Sequence, residues 1–74
     1  MLIATRHTTE RGFNRLDFTD SFGEECSVQE SSVMGEPAIW FGCHGDRMHL
    51  TQELVKGLLP ILKQFIRDGK LDAA

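Results

Sequence analysis

The C-terminal segment 51–69 has the pattern of one amphipathic helix whose apolar side is unusually wide. Five apolar residues recur at the i, i+4, i+7, i+8 and i+11 spacing of a single helical stripe: Leu54, Leu58, Ile61, Leu62 and Phe65. Val55, Leu59 and Ile66 widen the stripe to an arc of roughly 160°, against the ~100° or more of an ordinary surface helix. A small protein cannot cover so wide a face alone. We therefore expect a sheet against one flank and a second subunit against the other.

The ends of this helix are marked by capping residues. Thr51 is a natural N-cap, and Glu53 suits the positive end of the helix dipole. Gly69 is a C′ stop residue. Pro60 lies inside the segment, and because the apolar stripe continues in phase across it, we expect a bend and not a break.

The length and the cysteine content narrow the class of protein. With 74 residues the chain forms one domain, near the size at which a single core barely offsets chain entropy, so oligomerisation is the expected stabiliser. The first residues lack the basic region of a signal peptide, and no segment has the ~20 apolar residues of a membrane span. We therefore expect a cytoplasmic protein, without membrane association, in which Cys26 and Cys43 are reduced.

The first two-thirds of the chain has the pattern of a small antiparallel sheet. Residues 1–11 show no sustained period and are expected to form an arm. Residues 12–19 are predicted to form a half-buried strand, because Leu16 and Phe18 alternate with polar residues, although Phe13 breaks the alternation by falling on the Arg15 face. A return strand over 24–31 follows a turn at 20–23. The run 38–43 is the most β-prone in the chain and is apolar on both faces, which predicts a central strand.

The remaining segments complete a meander that leads into the helix. Residues 32–37 are expected to form a loop, 44–46 a second turn and 47–50 a short fourth strand. The order β-β-β-(β)-α predicts an α+β fold. It consists of a small antiparallel sheet of three to four strands within residues 12–50, with the long C-terminal helix packed across it.

Several motifs resemble those of a family of short bacterial and prophage proteins. The C-terminal motifs are Arg47-Met48-His49-Leu50-Thr51, Leu58-Leu59-Pro60, Phe65 and Gly69-Lys70-Leu71. The N-terminal motifs are Thr9-Glu10-Arg11-Gly12-Phe13, Cys26-Ser27-Val28-Gln29-Glu30-Ser31-Ser32 and Ile39-Trp40. The family has no assigned reaction, and its longer members carry extra residues where this chain has the short turn 44–46. The resemblance implies a phage-like setting, in which small proteins are often binders or inhibitors.

The residues most able to bind a ligand surround the start of the helix. Arg47, His49 and Thr51 precede it, and the backbone N–H groups of residues 52–54 have no partner within the helix. Helix N-termini bind phosphate through such donors, and an arginine adds a bidentate contact. Together with Trp40, these residues form the candidate site for a phosphate-bearing molecule such as a nucleotide. In the alternative, Thr51 is only a cap and Arg47 pairs with an acidic neighbour, Asp46 or Glu53.

Trp40 admits two interpretations that the sequence does not separate. If its strand is covered on both faces, Trp40 and Phe41 are core residues. If one face is open, Trp40 is an anchor in an interface, where tryptophan is enriched.

Cysteine and histidine side chains support two weaker alternatives, a zinc site and catalysis by a cysteine. Cys26, Cys43, His44 and His49 are the ligand types of a zinc site, but they lack paired short spacings, and the cysteines are better explained as small buried residues. Catalysis by Cys43 would need an orienting group and an oxyanion hole, and no motif marks either. No catalytic residue, metal ion or cofactor is therefore predicted.

The charge pattern argues against strong nucleic-acid binding. The net charge is −3, with −4 in residues 1–37 and +1 in residues 38–74. The basic residues on the polar side of the helix are Lys56, Lys63, Arg67 and Lys70. Four such charges support at most weak, salt-sensitive binding.

The sequence predicts a small, non-enzymatic binding protein of phage type that assembles as a homo-oligomer, most simply a dimer. The expected interface residues are Leu58, Leu59, Leu62, Phe65 and Ile66. Such a protein would sequester a phosphate-bearing ligand or inhibit a host-defence protein. A weak nucleic-acid-associated regulator is the first alternative, and a small Cys/His enzyme or zinc-binding module is the second.

Overall fold

A computed structural model describes residues 2–72 of the chain. Its elements are β1 (Thr5–Thr8), β2 (Asn14–Thr19), β3 (Glu25–Val33), β4 (Glu36–Cys43), β5 (Asp46–Thr51) and α1 (Gln52–Asp68). The strands form one antiparallel sheet in the order β1-β2-β3-β4-β5, so each strand pairs with its neighbour in sequence. The α+β class and the meander are confirmed. The strand number is five, however, and not three to four.

The additional strand, β1, lies within the segment that was expected to be an arm. It pairs with β2 from Thr5 opposite Asp17 to Thr8 opposite Asn14. All four of its residues are exposed, and none is apolar, so β1 has no hydrophobic period that sequence reasoning could detect.

The loop expected over residues 32–37 is a tight turn between two longer strands. Only Met34 and Gly35 separate β3 from β4, and both have positive φ angles, 49° and 85°. Two positive φ angles in a two-residue hairpin are the signature of a type I′ turn. Glycine adopts this conformation freely, whereas methionine rarely does, so the sequence signal at Met34 was weak.

The cross-strand register divides the sheet into two faces. Residues directly opposite one another in the sheet share a face, and side chains alternate along each strand. One face, called the apolar face below, carries the apolar residues Leu16, Phe18, Cys26, Val28, Ile39, Phe41, Cys43, Met48 and Leu50, and the register also places Arg6, Glu30 and Asp46 on it. The rings of Phe18 and Phe41 meet edge to face, with centroids 6.4 Å apart. The alternation predicted for the first hairpin is therefore confirmed.

The core that this sheet encloses is very small. Within residues 2–72, the buried apolar residues are Cys26, Ala38 and Leu50. The other large side chains of the apolar face are half-buried, and Met48 is 55% exposed. The apolar face is thus an open surface in the isolated chain.

Both caps of α1 match their sequence signals. Thr51 Oγ1 accepts a hydrogen bond from the Leu54 N–H at 3.2 Å. At the other end, Gly69 has a left-handed φ of 71°, and its N–H donates to the Phe65 carbonyl at 2.8 Å. The helix runs without interruption through Pro60.

The expectation that α1 packs across the sheet is wrong. No residue of α1 is buried, and among the strands its contacts are mainly with β5. The physical reason is the connection: β5 ends at Thr51 and α1 begins at Gln52, so no linker allows the helix to turn back onto its own sheet. Among the described residues, no helix is long and apolar enough to cross a membrane.

Candidate functional site

The second face of the sheet, called the polar face below, carries most of the side chains that can bind a ligand. By register it comprises His7, Arg15, Asp17, Ser27, Gln29, Ser31, Trp40, Gly42, Arg47 and His49. These residues come from all five strands, so their order across the sheet is fixed by backbone pairing. Sequence reasoning identified Trp40, Arg47 and His49 but missed the residues of β2 and β3.

A cluster around Asp17 occupies the β1–β2 side of the polar face. Asp17 contacts Arg15 Nε at 2.9 Å and His7 Nδ1 at 3.2 Å. Partial burial opposes ionisation of Asp17, but the hydrogen bond and charge of Arg15, with His7 and His44, outweigh it and lower the pKa of this carboxyl. Arg15 Nη2 also lies 2.7 Å from His44 Nε2.

Gln29 joins the Asp17 cluster to the β5 side of the face. Its Oε1 accepts from Arg15 Nη1 at 3.3 Å and from Arg47 Nη1 at 2.9 Å. A single amide oxygen therefore holds two guanidinium groups that would otherwise repel each other.

Gly42 lets Arg47 reach across the sheet. In the register, Gly42 lies between Ser27 of β3 and Arg47 of β5, and it adds no side chain between them. Arg47 Nη1 consequently spans β4 and lies 3.4 Å from Ser27 Oγ, which is fully buried. The φ of Gly42 is 143°, and a Cβ there would lie 3.1 Å from the Asp46 carbonyl oxygen, so this strand position favours glycine.

Arg47 carries a positive charge that no carboxylate among the described residues balances. Within residues 2–72 it has no carboxylate oxygen within 4.0 Å, and its two side-chain hydrogen bonds both leave from Nη1 to neutral acceptors. Arg15, by contrast, uses Nε, Nη1 and Nη2 on neighbours. The pairing of Arg47 with Asp46 or Glu53, which the sequence left open, is not formed. Arg47 Nε and Nη2 are the donors that an anion could engage.

Trp40 and His49 lie beside this guanidinium. The Arg47 Cζ atom is 5.6 Å from the centre of the Trp40 ring, within the range of a cation–π contact. The Trp40 and His49 rings are 4.2 Å apart, and His49 Nε2 lies 3.1 Å from Ser31 Oγ. Trp40 is half-buried in the isolated chain, and the core and interface interpretations of this side chain both stay predictions.

A surface depression of about 370 Å³ borders Trp40 on the side of the β1–β2 loop. Its lining includes Thr9, Arg11, Phe13, Gln29, Ser31 and Trp40. Its volume falls within the range of small-molecule sites, roughly 300–1,000 Å³. Glu10 and Glu30 also line it, and Glu30 Oε1 accepts from the Asn14 N–H. The one sequence signal for this depression was Phe13, which breaks the apolar alternation by falling on the same face as Arg15.

Thr51 lies at the end of the polar face, opposite Ala38, while Trp40 lies opposite His49. The structure therefore brings Trp40, Arg47 and His49 together. Thr51 lies two residues beyond His49 along β5. The hydroxyl of Thr51 already caps α1. Ligand binding by these four residues remains a prediction.

The cysteines form a separate cluster. Cys26 and Cys43 face each other across β3 and β4, with their Sγ atoms 3.4 Å apart. Asp20 contributes a third potential ligand atom, and the three atoms lie within 4.8 Å of one another. Burial, with the neighbouring Cys43 thiol, raises the pKa of Cys26 to about 11, so the Cys26 thiol stays protonated at neutral pH.

The histidines that sequence reasoning grouped with these thiols lie elsewhere. His49 is on the polar face beside Trp40, and His44 turns to Arg15 and Asp17. The combination of Cys26 and Cys43 with His44 and His49 is not assembled in the isolated chain.

Comparison of the chain with protein-family models, with curated proteins and with solved structures finds no match. The geometry of the polar face is therefore the basis for inferring a function.

Proposed function

We propose that this chain is a small homo-oligomeric binding protein whose polar face holds a phosphate-bearing small molecule at Arg47 and Trp40. One observation carries the proposal. Arg47 presents two unused donors and an unbalanced positive charge, with respect to residues 2–72, directly beside a half-exposed tryptophan. Arginine binds phosphate oxygens in a planar, bidentate manner, and an aromatic ring stacks on a base. A nucleotide contains both a phosphate and a base.

The charges around the site orient such a ligand. Glu10 and Glu30 line the depression, whereas Arg47 does not, and their carboxylates would repel a phosphate in the depression. The phosphate is therefore placed at the Arg47 end of the polar face. The base is placed against Trp40 and the depression bordered by Phe13.

Preorganisation supports binding by this face. Gln29 and Ser27 hold Arg47 through Nη1, so the guanidinium is positioned before a ligand arrives. Fixing a long side chain in advance reduces the entropy lost on binding. A sequestering protein, of the kind that the phage-like sequence resemblance implies, needs such affinity without any chemical step.

The experiment is isothermal titration calorimetry of the full chain with adenosine monophosphate, at low ionic strength. Arg47→Ala removes the phosphate contact, and Arg47→Lys keeps the charge but loses the bidentate geometry. Arg6→Ala is the matched control, because Arg6 is exposed and lies opposite Leu16, on the other face of the sheet. Loss of one charge-assisted contact, about 1.5–3 kcal/mol, weakens binding by roughly 10- to 150-fold.

We expect this loss for Arg47→Ala, a smaller loss for Arg47→Lys, and unchanged binding for Arg6→Ala. Equal weakening by Arg6→Ala and Arg47→Ala would show that the binding is only diffuse electrostatic attraction and would reject the site. Tighter binding of a single-stranded oligonucleotide than of the mononucleotide would favour the nucleic-acid alternative instead.

A further inference from the structure

The isolated chain exposes far more surface than a protein of its size does. Its accessible surface is 6297 Å², whereas a compact monomer of 8.4 kDa exposes about 4,600 Å². Its radius of gyration is 13.8 Å, against about 11 Å for a compact domain of this length. The excess, about 1,700 Å² per chain, is surface that a partner could cover.

Two apolar surfaces contribute to this excess. The first is the apolar arc of α1, where Leu58 is 37%, Leu62 51% and Phe65 54% exposed. The second is the apolar face of the sheet, where Met48 is 55% exposed and its neighbours are only half-buried. An amphipathic helix and a sheet with one apolar face are the two surfaces that pack together in α+β domains. This chain contains both but does not bring them together.

We infer that a second copy of this chain covers the apolar face, with α1 of each protomer packed on the apolar face of the other. This inference rests on the homo-oligomeric part of the proposed function and specifies how the oligomer is built. Each chain has one helix to offer and one sheet face to cover. A reciprocal exchange therefore closes as a two-fold dimer and leaves neither surface exposed.

The connection between β5 and α1 favours exchange over folding back. Thr51 is both the last residue of β5 and the N-cap of α1, so no linker residue lies between the two elements to redirect the helix onto its own sheet. Exchange keeps the direction of α1 as the structure has it.

An open groove marks where the helix of the partner enters. The groove, about 690 Å³ in volume, lies where the first turns of α1 meet the sheet, and its lining includes Ile39, Leu50, Val55 and Lys56. The groove connects Ile39 and Leu50 of the apolar face with Val55 of α1, and Glu30, Gln52 and Glu53 also line it. If each protomer buries its excess surface, the dimer buries about 3,400 Å², within the roughly 2,000–5,000 Å² of obligate homodimers.

The experiment is sedimentation velocity on the full chain and three variants. Leu62→Glu places a charge in the centre of the apolar arc, and Met48→Lys places one on the apolar face. Both residues are more than half exposed, so neither change disturbs packing within one chain. Lys63→Gln is the control, because it lowers the net charge by one unit, as Leu62→Glu does, but on the polar side of α1.

We expect the wild-type chain and Lys63→Gln to sediment at twice the 8.4 kDa of one chain. We expect Leu62→Glu and Met48→Lys each to dimerise roughly 100-fold more weakly, because an unpaired charge would be buried. Mixing the two variants should restore a dimer, with one wild-type contact and one Lys–Glu pair.

Two results would overturn the inference. A monomeric wild-type chain would exclude the second copy, and a dimer unaffected by Met48→Lys would show that the helices pair only with each other. Failure of the nucleotide proposal is recognised separately. Met48 lies on the opposite face from Arg47, so calorimetry on Met48→Lys reports on the polar face whether or not the chain dimerises.

Discussion

Replacement of Gly42 by alanine tests how closely β4 and β5 pack beneath Arg47. Two effects contribute to the expected loss of stability. A non-glycine residue at a positive φ, here 143°, costs about 1–2 kcal/mol. In addition, the new Cβ would lie 3.1 Å from the Asp46 carbonyl oxygen and 3.2 Å from Arg47 Cα, both of them backbone atoms. Moving β5 away by a few tenths of an ångström adds about 1–2 kcal/mol, as overpacking does.

The expected total, about 2–4 kcal/mol, is large for this chain. A protein of 74 residues has an unfolding free energy of roughly 4–11 kcal/mol, so Gly42→Ala removes a substantial part of it. Chemical denaturation at one fixed protein concentration measures the loss, since oligomerisation makes stability depend on concentration. Thermal unfolding should show a decrease in Tm of about 4–8 °C per kcal/mol.

Gly45→Ala separates the two contributions. Gly45 also has a positive φ, 85°, but a Cβ there would meet nothing within 4 Å. Gly45→Ala should therefore lower the unfolding free energy only by the cost of a positive φ at alanine, about 1–2 kcal/mol. The difference between the two variants measures the crowding against β5. If Gly42→Ala and Gly45→Ala lose the same free energy, β5 yields without cost and the close-packing argument is refuted.

Three further predictions follow from single side chains. Met34→Asn should raise the unfolding free energy by about 0.5–1 kcal/mol in denaturation, since asparagine tolerates the positive φ of a type I′ turn and Met34 is 98% exposed. Cys26, with its pKa raised to about 11, should react with iodoacetamide at pH 8 roughly 100-fold more slowly than a thiol of pKa 9, and Cys43→Ser should increase the rate. Asp17→Asn should be less stable than the wild type near pH 6. Because the pKa of Asp17 is lowered on folding, its contribution is present above the usual value of 3.8 and disappears as the pH falls below it, so the two urea midpoints should converge in acid.

The strands that sequence reasoning located are those with apolar alternation. Leu16 and Phe18, and then Cys26 and Val28, mark β2 and β3 because one face of each strand is apolar. β1 escaped detection because its four residues are all polar, so only its backbone pairing with β2 defines it. The caps of α1, Thr51 and Gly69, could be recognised from the sequence because a helix cap depends only on neighbouring residues. Both caps were confirmed.

The direction of α1 could not be read from the same pattern. A wide apolar arc predicts that a helix packs against another surface, but it does not identify whether this surface belongs to the same chain or to another molecule. The outcome depended on the number of residues between β5 and α1, and there is none, because β5 ends at Thr51 and α1 begins at Gln52. Sequence reasoning placed the cap correctly but did not draw this consequence.

Part of the candidate site was visible in the sequence and part was not. Arg47 and His49 are two residues apart on one strand, so a shared face follows from the β period. Their proximity to Trp40 required the register of β4 against β5, and the role of Gln29 required that of β3 against β4. Register depends on turn lengths, and the turn at Met34–Gly35 was shorter than expected.

Strand β5 contributes to both proposed surfaces, because its side chains alternate between the apolar face and the polar face. Met48 and Leu50 point to the face that a second copy covers, whereas Arg47 and His49 point to the face that holds the ligand. A dimer formed through the apolar faces leaves both polar faces outward and separated by the full thickness of the assembly. The two sites then cannot share a ligand, so titration should give one nucleotide per chain with a Hill coefficient of about 1. A stoichiometry of one nucleotide per two chains would mean that the polar faces meet each other, and the assignment of the two faces would have to be reversed.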